Sequence, residues 1–286
     1  MNWFTTNDLL KRSGPFTLCV DYIVWYILAA IVLGVGIYFL CKRKSEKVTK
    51  IVFIVLWAVA VAIDVTKLIV NICTGFNIGT DIPLYICSIF MYVMPFAIWG
   101  KGLLKRIGCA IVCSIGLFGA IGNYVVPTVI VKNSLFSFSG FHTTLYHTIL
   151  IAVPLIMLCT GYFKFKFKDY GWTYLGFFVL TIPALILNFI AKTDYMYLLE
   201  GNYLPLLDDV AEIVGCYVWP IIMYVVYAFI IILMQLIVMG VTKLVENIVA
   251  KINANCVEPK PVADGVDKNT NTVEDNKNKE QEKNNE

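Results

Sequence analysis

Charge is what this sequence has least of. Only 15% of its 286 residues are Asp, Glu, Lys or Arg, against 59% hydrophobic, and the mean hydropathy is +0.74. Soluble domains carry roughly 25% charged residues, so an ordinary water-soluble globule is excluded. Histidine is scarcer still, with two in the chain, His142 and His147. The nine cysteines stand singly and form no CxxC pair, which removes a disulfide framework and a zinc-knuckle spacing. There is no P-loop, no HExxH and no basic stripe outside short loops, so phosphoryl transfer, a metal centre, a bound cofactor and nucleic-acid binding are not expected. The formal charge of +3 hides an acidic tail, since Val257 to Glu286 hold five lysines against eight carboxylates.

What is present in quantity is long apolar runs. Several reach the roughly 20 residues that cross a bilayer, and helices are the spanning form because lipid leaves an open strand edge without partners. Reading the runs between charged breaks predicts an all-α polytopic membrane protein with seven helices, near 16–41, 51–72, 82–99, 107–126, 141–160, 171–190 and 217–240. The first run follows Lys11 and Arg12 but is too long for a signal peptide and reads as an uncleaved anchor. Eleven Lys and Arg residues collect in the loops after helices one, three and five: Lys42, Arg43, Lys44, Lys47, Lys50, Lys101, Lys105, Arg106, Lys164, Lys166 and Lys168. The alternate loops hold only Lys132 and Lys192. The positive-inside rule therefore predicts an extracytoplasmic amino terminus and a cytoplasmic carboxyl terminus. The expected organisation is an outer segment 1–15, a transmembrane domain 16–240, a juxtamembrane helix 241–255 and a disordered cytoplasmic tail 256–286.

Ionisable groups at membrane depth are expensive unless paired or hydrated, so their placement bears on function. On a rise of ~1.5 Å per residue from the outer ends, Cys87 lies ~8 Å down, His147 ~9 Å, Lys67 ~8 Å and Asp64 ~12 Å. Asn123 and Asn188 lie within ~5 Å of their outer helix ends. Asp64, Lys67 and Asn71 share one stripe of the second helix, where the carboxylate and ammonium can pair; a structural ion pair explains that spacing as well as a site does. His142 and His147 are about 140° apart around a helix and cannot chelate one metal together. Free cysteine usually packs as a small hydrophobe, and a lone histidine usually just hydrogen-bonds. Cys87 and His147 rise above that reading because they sit at matching depth on different helices, where an imidazole and the Lys67 charge can favour a thiolate. Gly116, Gly119 and Gly122 read as a close helix-packing face.

Ile82-Pro83 followed by Leu84-Tyr85-Ile86-Cys87-Ser88-Ile89 resembles the "LPLHLC" signature of the YwaF family of bacterial integral membrane proteins. Further pieces follow in order. Gly119-Ala120-Ile121 with Pro127 resembles the family's fourth-helix end; Phe141 to His147 resembles its "F…HG" segment; Leu187-Asn188 and Asp194-Tyr195-Met196-Tyr197-Leu198 resemble "N…NYMYL". Tyr85 stands where the family often has histidine, and Asp194 where it often has asparagine. The resemblance implies a seven-helix fold in a multi-pass bacterial plasma-membrane protein. It also implies a distant similarity to animal acyltransferases that load fatty acyl chains onto ether lysophospholipids. In those relatives an intramembrane cysteine and histidine carry the transfer; by motif position they are Cys87 and His147.

The expectation drawn from this likeness is a phospholipid/lysophospholipid acyltransferase with Cys87 and His147 catalytic and a membrane phospholipid as partner. Asp64, Lys67, Asn71, Ser88, Asn123, Asn188, Asp194 and Tyr195 are its candidate substrate-binding residues. Two other classes stand beside it: a small-solute or ion-coupled transporter using Asp64, Lys67 and His147 as relay groups, and a lipid-binding scaffold without catalysis. No inverted repeat is evident in the chain.

Overall fold

A computed structural model describes residues 20–125, 133–200 and 205–257. The segment 1–15, Pro127, Lys132 and the tail from 258 onward lie outside the described residues. Among those described, every regular element is helical: α1 (Val20–Arg43), α2 (Glu46–Thr74), α3 (Ile89–Trp99), α4 (Gly102–Ile111), a π turn (Val112–Gly116), α5 (Leu117–Val125), α6 (Phe138–Cys159), α7 (Asp169–Ala191), α8 (Pro205–Val214) and α9 (Trp219–Val257). The chain divides into two compact units, Met1–Lys243 and Leu244–Glu286. The first holds the helical bundle; the described part of the second is the last stretch of α9.

Among the described residues six helices are long and apolar enough to cross a membrane: Val20–Arg43, Glu46–Thr74, Gly102–Tyr124, Phe138–Cys159, Asp169–Ala191 and Trp219–Asn247. The fourth predicted span is thus α4, the π turn and α5 in one run. The third differs from expectation. Of residues 82–99 only Ile89–Trp99 is helical, and its 11 residues reach ~16 Å, about half a hydrocarbon core. Pro83 keeps Ile82 out of helical backbone but would itself suit a helix start, so the later start at Ile89 reflects the turns that follow it. The chain instead makes successive turns, with Leu84 N–H donating to the Ile82 carbonyl (2.8 Å) and Ser88 N–H to that of Tyr85 (3.0 Å).

The core is built where α3, α4 and the π turn meet α6, around Phe90, Met94, Cys113, Ile115 and Val153. The α3 and α4 backbones touch: a Cβ on Gly108 would lie 2.7 Å from the Ala97 nitrogen, so only glycine fits. Apolar side chains such as Val24, Leu28, Ile31 and Val35 of α1 remain exposed, as a lipid-facing surface requires. Trp25 Nε1 donates to Thr148 Oγ1 (3.1 Å) and ties α1 to α6, while Gln235 Nε2 donates to Thr173 Oγ1 (3.0 Å) and ties α9 to α7.

One end of the bundle gathers the basic turns. Arg106 at the start of α4 forks onto the buried Asp169 carboxylate at the start of α7 and donates to the Lys164 carbonyl (3.2 Å). Asp169 also accepts the Lys166 N–H (2.6 Å). Lys105 pairs with Glu46 of α2 at 3.3 Å and sits 4.1 Å above the Tyr162 ring. The α1–α2, α3–α4 and α6–α7 turns therefore meet at the same end.

Breaking the bidentate pair should cost more than an exposed ion pair does. Asp169→Asn is expected to destabilise by about 2–3 kcal/mol, short of a fully buried pair because the Arg106 side chain is 28% exposed. The check is the thermal unfolding midpoint in detergent; an unshifted midpoint would show that the fork holds nothing together.

Candidate functional site

Cys87 lies on the turn-rich lead-in to α3, and the loop chemistry explains how that segment is held without helix. At the end of α2, Asn71 Nδ2 donates to Asp81 Oδ1 (2.9 Å), and Asp81 Oδ2 accepts the Asn77 N–H (2.6 Å). Tyr195 donates its hydroxyl to the Ile78 carbonyl (2.6 Å), accepts the Ile82 N–H (3.2 Å) and sets its ring edge-on to Tyr85 at 5.0 Å. Tyr92 Oη donates to the Pro83 carbonyl at 3.1 Å. Tyr195 lies beyond α7, and burial pushes its phenol above the usual range, so it stays a neutral donor.

Tyr195 is fixed in turn by Asn188. The fully buried amide donates from Nδ2 to the Tyr195 carbonyl (2.9 Å) and accepts at Oδ1 from the Tyr195 N–H (2.8 Å) and Thr193 Oγ1 (2.9 Å). Asp194 Oδ1 accepts the N–H groups of Leu199 (2.8 Å) and Glu200 (3.0 Å). The amide nitrogen of Asn71, the polar atoms of Asn188 and Tyr195, and one oxygen of Asp194 are thus engaged in holding loops. Ser88 is buried as the residue preceding α3.

The second half of the site comes from α6 and α2. The expected Asp64–Lys67 pair does not form. Asp64 instead meets His142 across the bundle, with Nε2 3.1 Å from Oδ1. The imidazole is held flat against Tyr146, ring centres 5.8 Å apart and planes 12° from parallel, so it needs little ordering to accept the carboxylate, whereas a lysine stem must surrender its rotamers. Tyr146 Oη donates to the Cys87 carbonyl (3.3 Å), and the same ring meets His147 edge-on at 5.8 Å. His147 Nδ1 lies 2.7 Å from the Thr143 carbonyl, one turn back. A carbonyl can only accept, so Nδ1 carries the proton and neutral His147 keeps its lone pair on Nε2. Asp64 and Lys67 both lie within electrostatic reach of the Cys87 thiol and the His147 ring.

A third wall is α5. Of the three glycines, Gly119 alone makes the close approach to another element: a Cβ there would lie 2.9 Å from Ile86 Cγ2 and 3.3 Å from the Cys87 nitrogen. Gly122, one turn on, has nothing within 4 Å. The π turn directly before α5 adds a residue to one helical turn and so resets which face of α5 meets this segment. Asn123 places its Nδ2 in a buried position with no hydrogen-bond partner. Among the described residues no group of three His, Cys, Asp or Glu side chains is disposed to hold a metal.

The structure thus brings Cys87, Asp64, His142, Tyr146 and His147 into one connected cluster, with Lys67 in electrostatic reach and Gly119 and Asn123 alongside. Sequence reasoning missed His142 as the carboxylate's partner and missed Tyr146 altogether. The signal was available, since Tyr146 lies four residues after His142 and immediately before His147, where a buried tyrosine must find an acceptor.

A bundle of six membrane-length apolar helices around a buried polar cluster defines an integral, multi-pass α-helical membrane protein. Residues 16–239 match the TMEM164 family, and the chain belongs to that family. No curated protein and no solved structure matches it.

Gly119→Ala should displace the Cys87 turn, whereas Gly122→Ala should not. The expected result is a severalfold change in the alkylation rate of Cys87 for the first and none for the second, read by mass spectrometry; equal rates would show that the Gly119 contact does not position the thiol.

Proposed function

We propose that this protein is a thiol-dependent acyltransferase acting on membrane phospholipids, with Cys87 as nucleophile and His147 as base. The observation that carries the reading is the 2.7 Å contact of His147 Nδ1 with the Thr143 carbonyl. With Nδ1 committed to the Thr143 carbonyl, Nε2 is the free basic nitrogen, on the residue next to the tyrosine that grips the Cys87 carbonyl. The ordered motif likeness to the YwaF family, and through it to ether-lipid acyltransferases, supports the same pair.

In this reading His147 Nε2 takes the Cys87 thiol proton, and the thiolate attacks the ester carbonyl of a donor lipid. The carbon–oxygen bond to the glycerol breaks, the departing oxygen takes the proton back from the imidazolium, and the acyl chain remains as a thioester on Cys87. An acceptor lysolipid then gives its hydroxyl proton to Nε2 and attacks the thioester, releasing Cys87 as thiol when the imidazolium returns the proton. Redox balance is preserved throughout, because both steps are acyl substitutions. Asp64, held by His142, keeps a negative charge near the imidazolium that forms transiently.

The membrane arrangement belongs to the same proposal. Eleven residues of α3 with the preceding turns complete a seventh crossing, the amino terminus lies outside and the carboxyl terminus in the cytoplasm of a plasma-membrane protein. The meeting of the α1–α2, α3–α4 and α6–α7 turns at one end supports it, since those turns carry eleven of the loop Lys and Arg residues. Non-helical backbone at that depth is tolerated where protein surrounds it, as the tyrosine contacts around residues 78–87 do.

The test is purified protein given a phospholipid labelled in its acyl chain and an unlabelled lysolipid. Cys87→Ala is expected to abolish transfer and His147→Ala to lower it about 100-fold or more, each without loss of the folded helical signal. Unchanged transfer in both variants, or solute uptake into proteoliposomes without any transfer, would defeat the proposal.

A further inference from the structure

Two donors near the Cys87 segment have no acceptor among the described residues. Half-buried Lys67 makes no hydrogen bond or ion pair among the described residues, and the carboxylate one turn away meets His142 instead. Asn123 Nδ2 is buried and unpaired.

Both belong to the same neighbourhood. Lys67 follows Asp64 by one helical turn, and Asp64 is linked through His142 and Tyr146 to the Cys87 carbonyl. Asn123 follows Gly119 by one turn, and Gly119 abuts the Cys87 nitrogen. Between them on α5, Gly122 faces open space. An ammonium at membrane depth and a buried amide N–H are each unfavourable when left unpaired, so each is arranged for an acceptor that arrives with a ligand.

The two donors suit different acceptors. An ammonium is matched by a full negative charge and an amide N–H by a carbonyl oxygen. A glycerophospholipid carries both a short distance apart, a phosphodiester and an ester carbonyl. We infer that Lys67 receives the phosphodiester of the lipid while Asn123 receives the oxygen of the acyl carbonyl that Cys87 attacks, so that the site selects phosphate-bearing lipids over neutral acylglycerols. The inference rests on the acyl-transfer reading for the identity of the carbonyl, but phosphate recognition is measurable without any chemistry.

The experiment uses full-length Cys87→Ala protein in nanodiscs and compares binding of a lysophospholipid with that of a monoacylglycerol of the same chain length. The phosphate-bearing lipid is expected to bind roughly tenfold tighter. That preference should vanish when Lys67→Gln is added and persist with Lys67→Arg. Equal binding of the two lipids by the Cys87→Ala protein, which needs no further variant to be folded, would overturn the inference, as would a preference that survives Lys67→Gln. Glycerol phosphate in tenfold excess should leave the lysolipid bound; displacement would assign the subsite to soluble phosphates and overturn the lipid assignment. If the wild-type protein shows the preference but transfers no acyl chain, the function proposal fails alone.

Discussion

A carboxylate among packed helices needs a hydrogen-bonding partner from within the protein, and in this bundle the partner of Asp64 is His142. The consequences run outward from that contact. It joins α2 to α6. It sets the His142 ring flat against Tyr146, and so directs the Tyr146 hydroxyl to the Cys87 carbonyl. Lys67, one turn further along α2, does not pair with that carboxylate.

The second requirement is to keep non-helical backbone stable inside a helical assembly. Residues 75–88 cannot satisfy their own N–H and C=O groups by regular structure, and aromatic hydroxyls and an indole do it from outside: Tyr195 on Ile78 and Ile82, Tyr92 on Pro83, Tyr146 on Cys87, and Trp57 on the Met91 carbonyl (2.9 Å) just beyond. Rings serve well here because each buries a large apolar area and delivers one polar atom at its tip. The turns leave the Cys87 carbonyl shared between the Phe90 N–H (3.2 Å) and the Tyr146 hydroxyl of a neighbouring helix.

Much of the fold was legible beforehand. Six of the seven predicted spans coincide with membrane-length helices, because an uninterrupted apolar run of about 20 residues has few alternatives in lipid. In the 82–99 segment only Ile89–Trp99 is helical, which hydropathy alone misses because it does not register tyrosines elsewhere in the chain that stabilise turns. The site was legible in part. Cys87 and His147 were named from depth and motif, yet Asp64 was assigned to Lys67 because helical spacing registers only partners on the same helix. Asn188 was named from its depth near a helix end and Tyr195 from the motif likeness; their neighbours show them fastening one loop to another.

What the sequence by itself determined is the membrane class and the approximate position of most helices, since transfer of apolar runs into lipid depends on local composition alone. Only the tertiary structure decided which histidine meets the carboxylate, which glycine admits the Cys87 turn and which donors are left unpaired. Those outcomes depend on contacts between residues 32 to 78 positions apart in the chain, and no local pattern encodes which of several compatible partners will lie opposite.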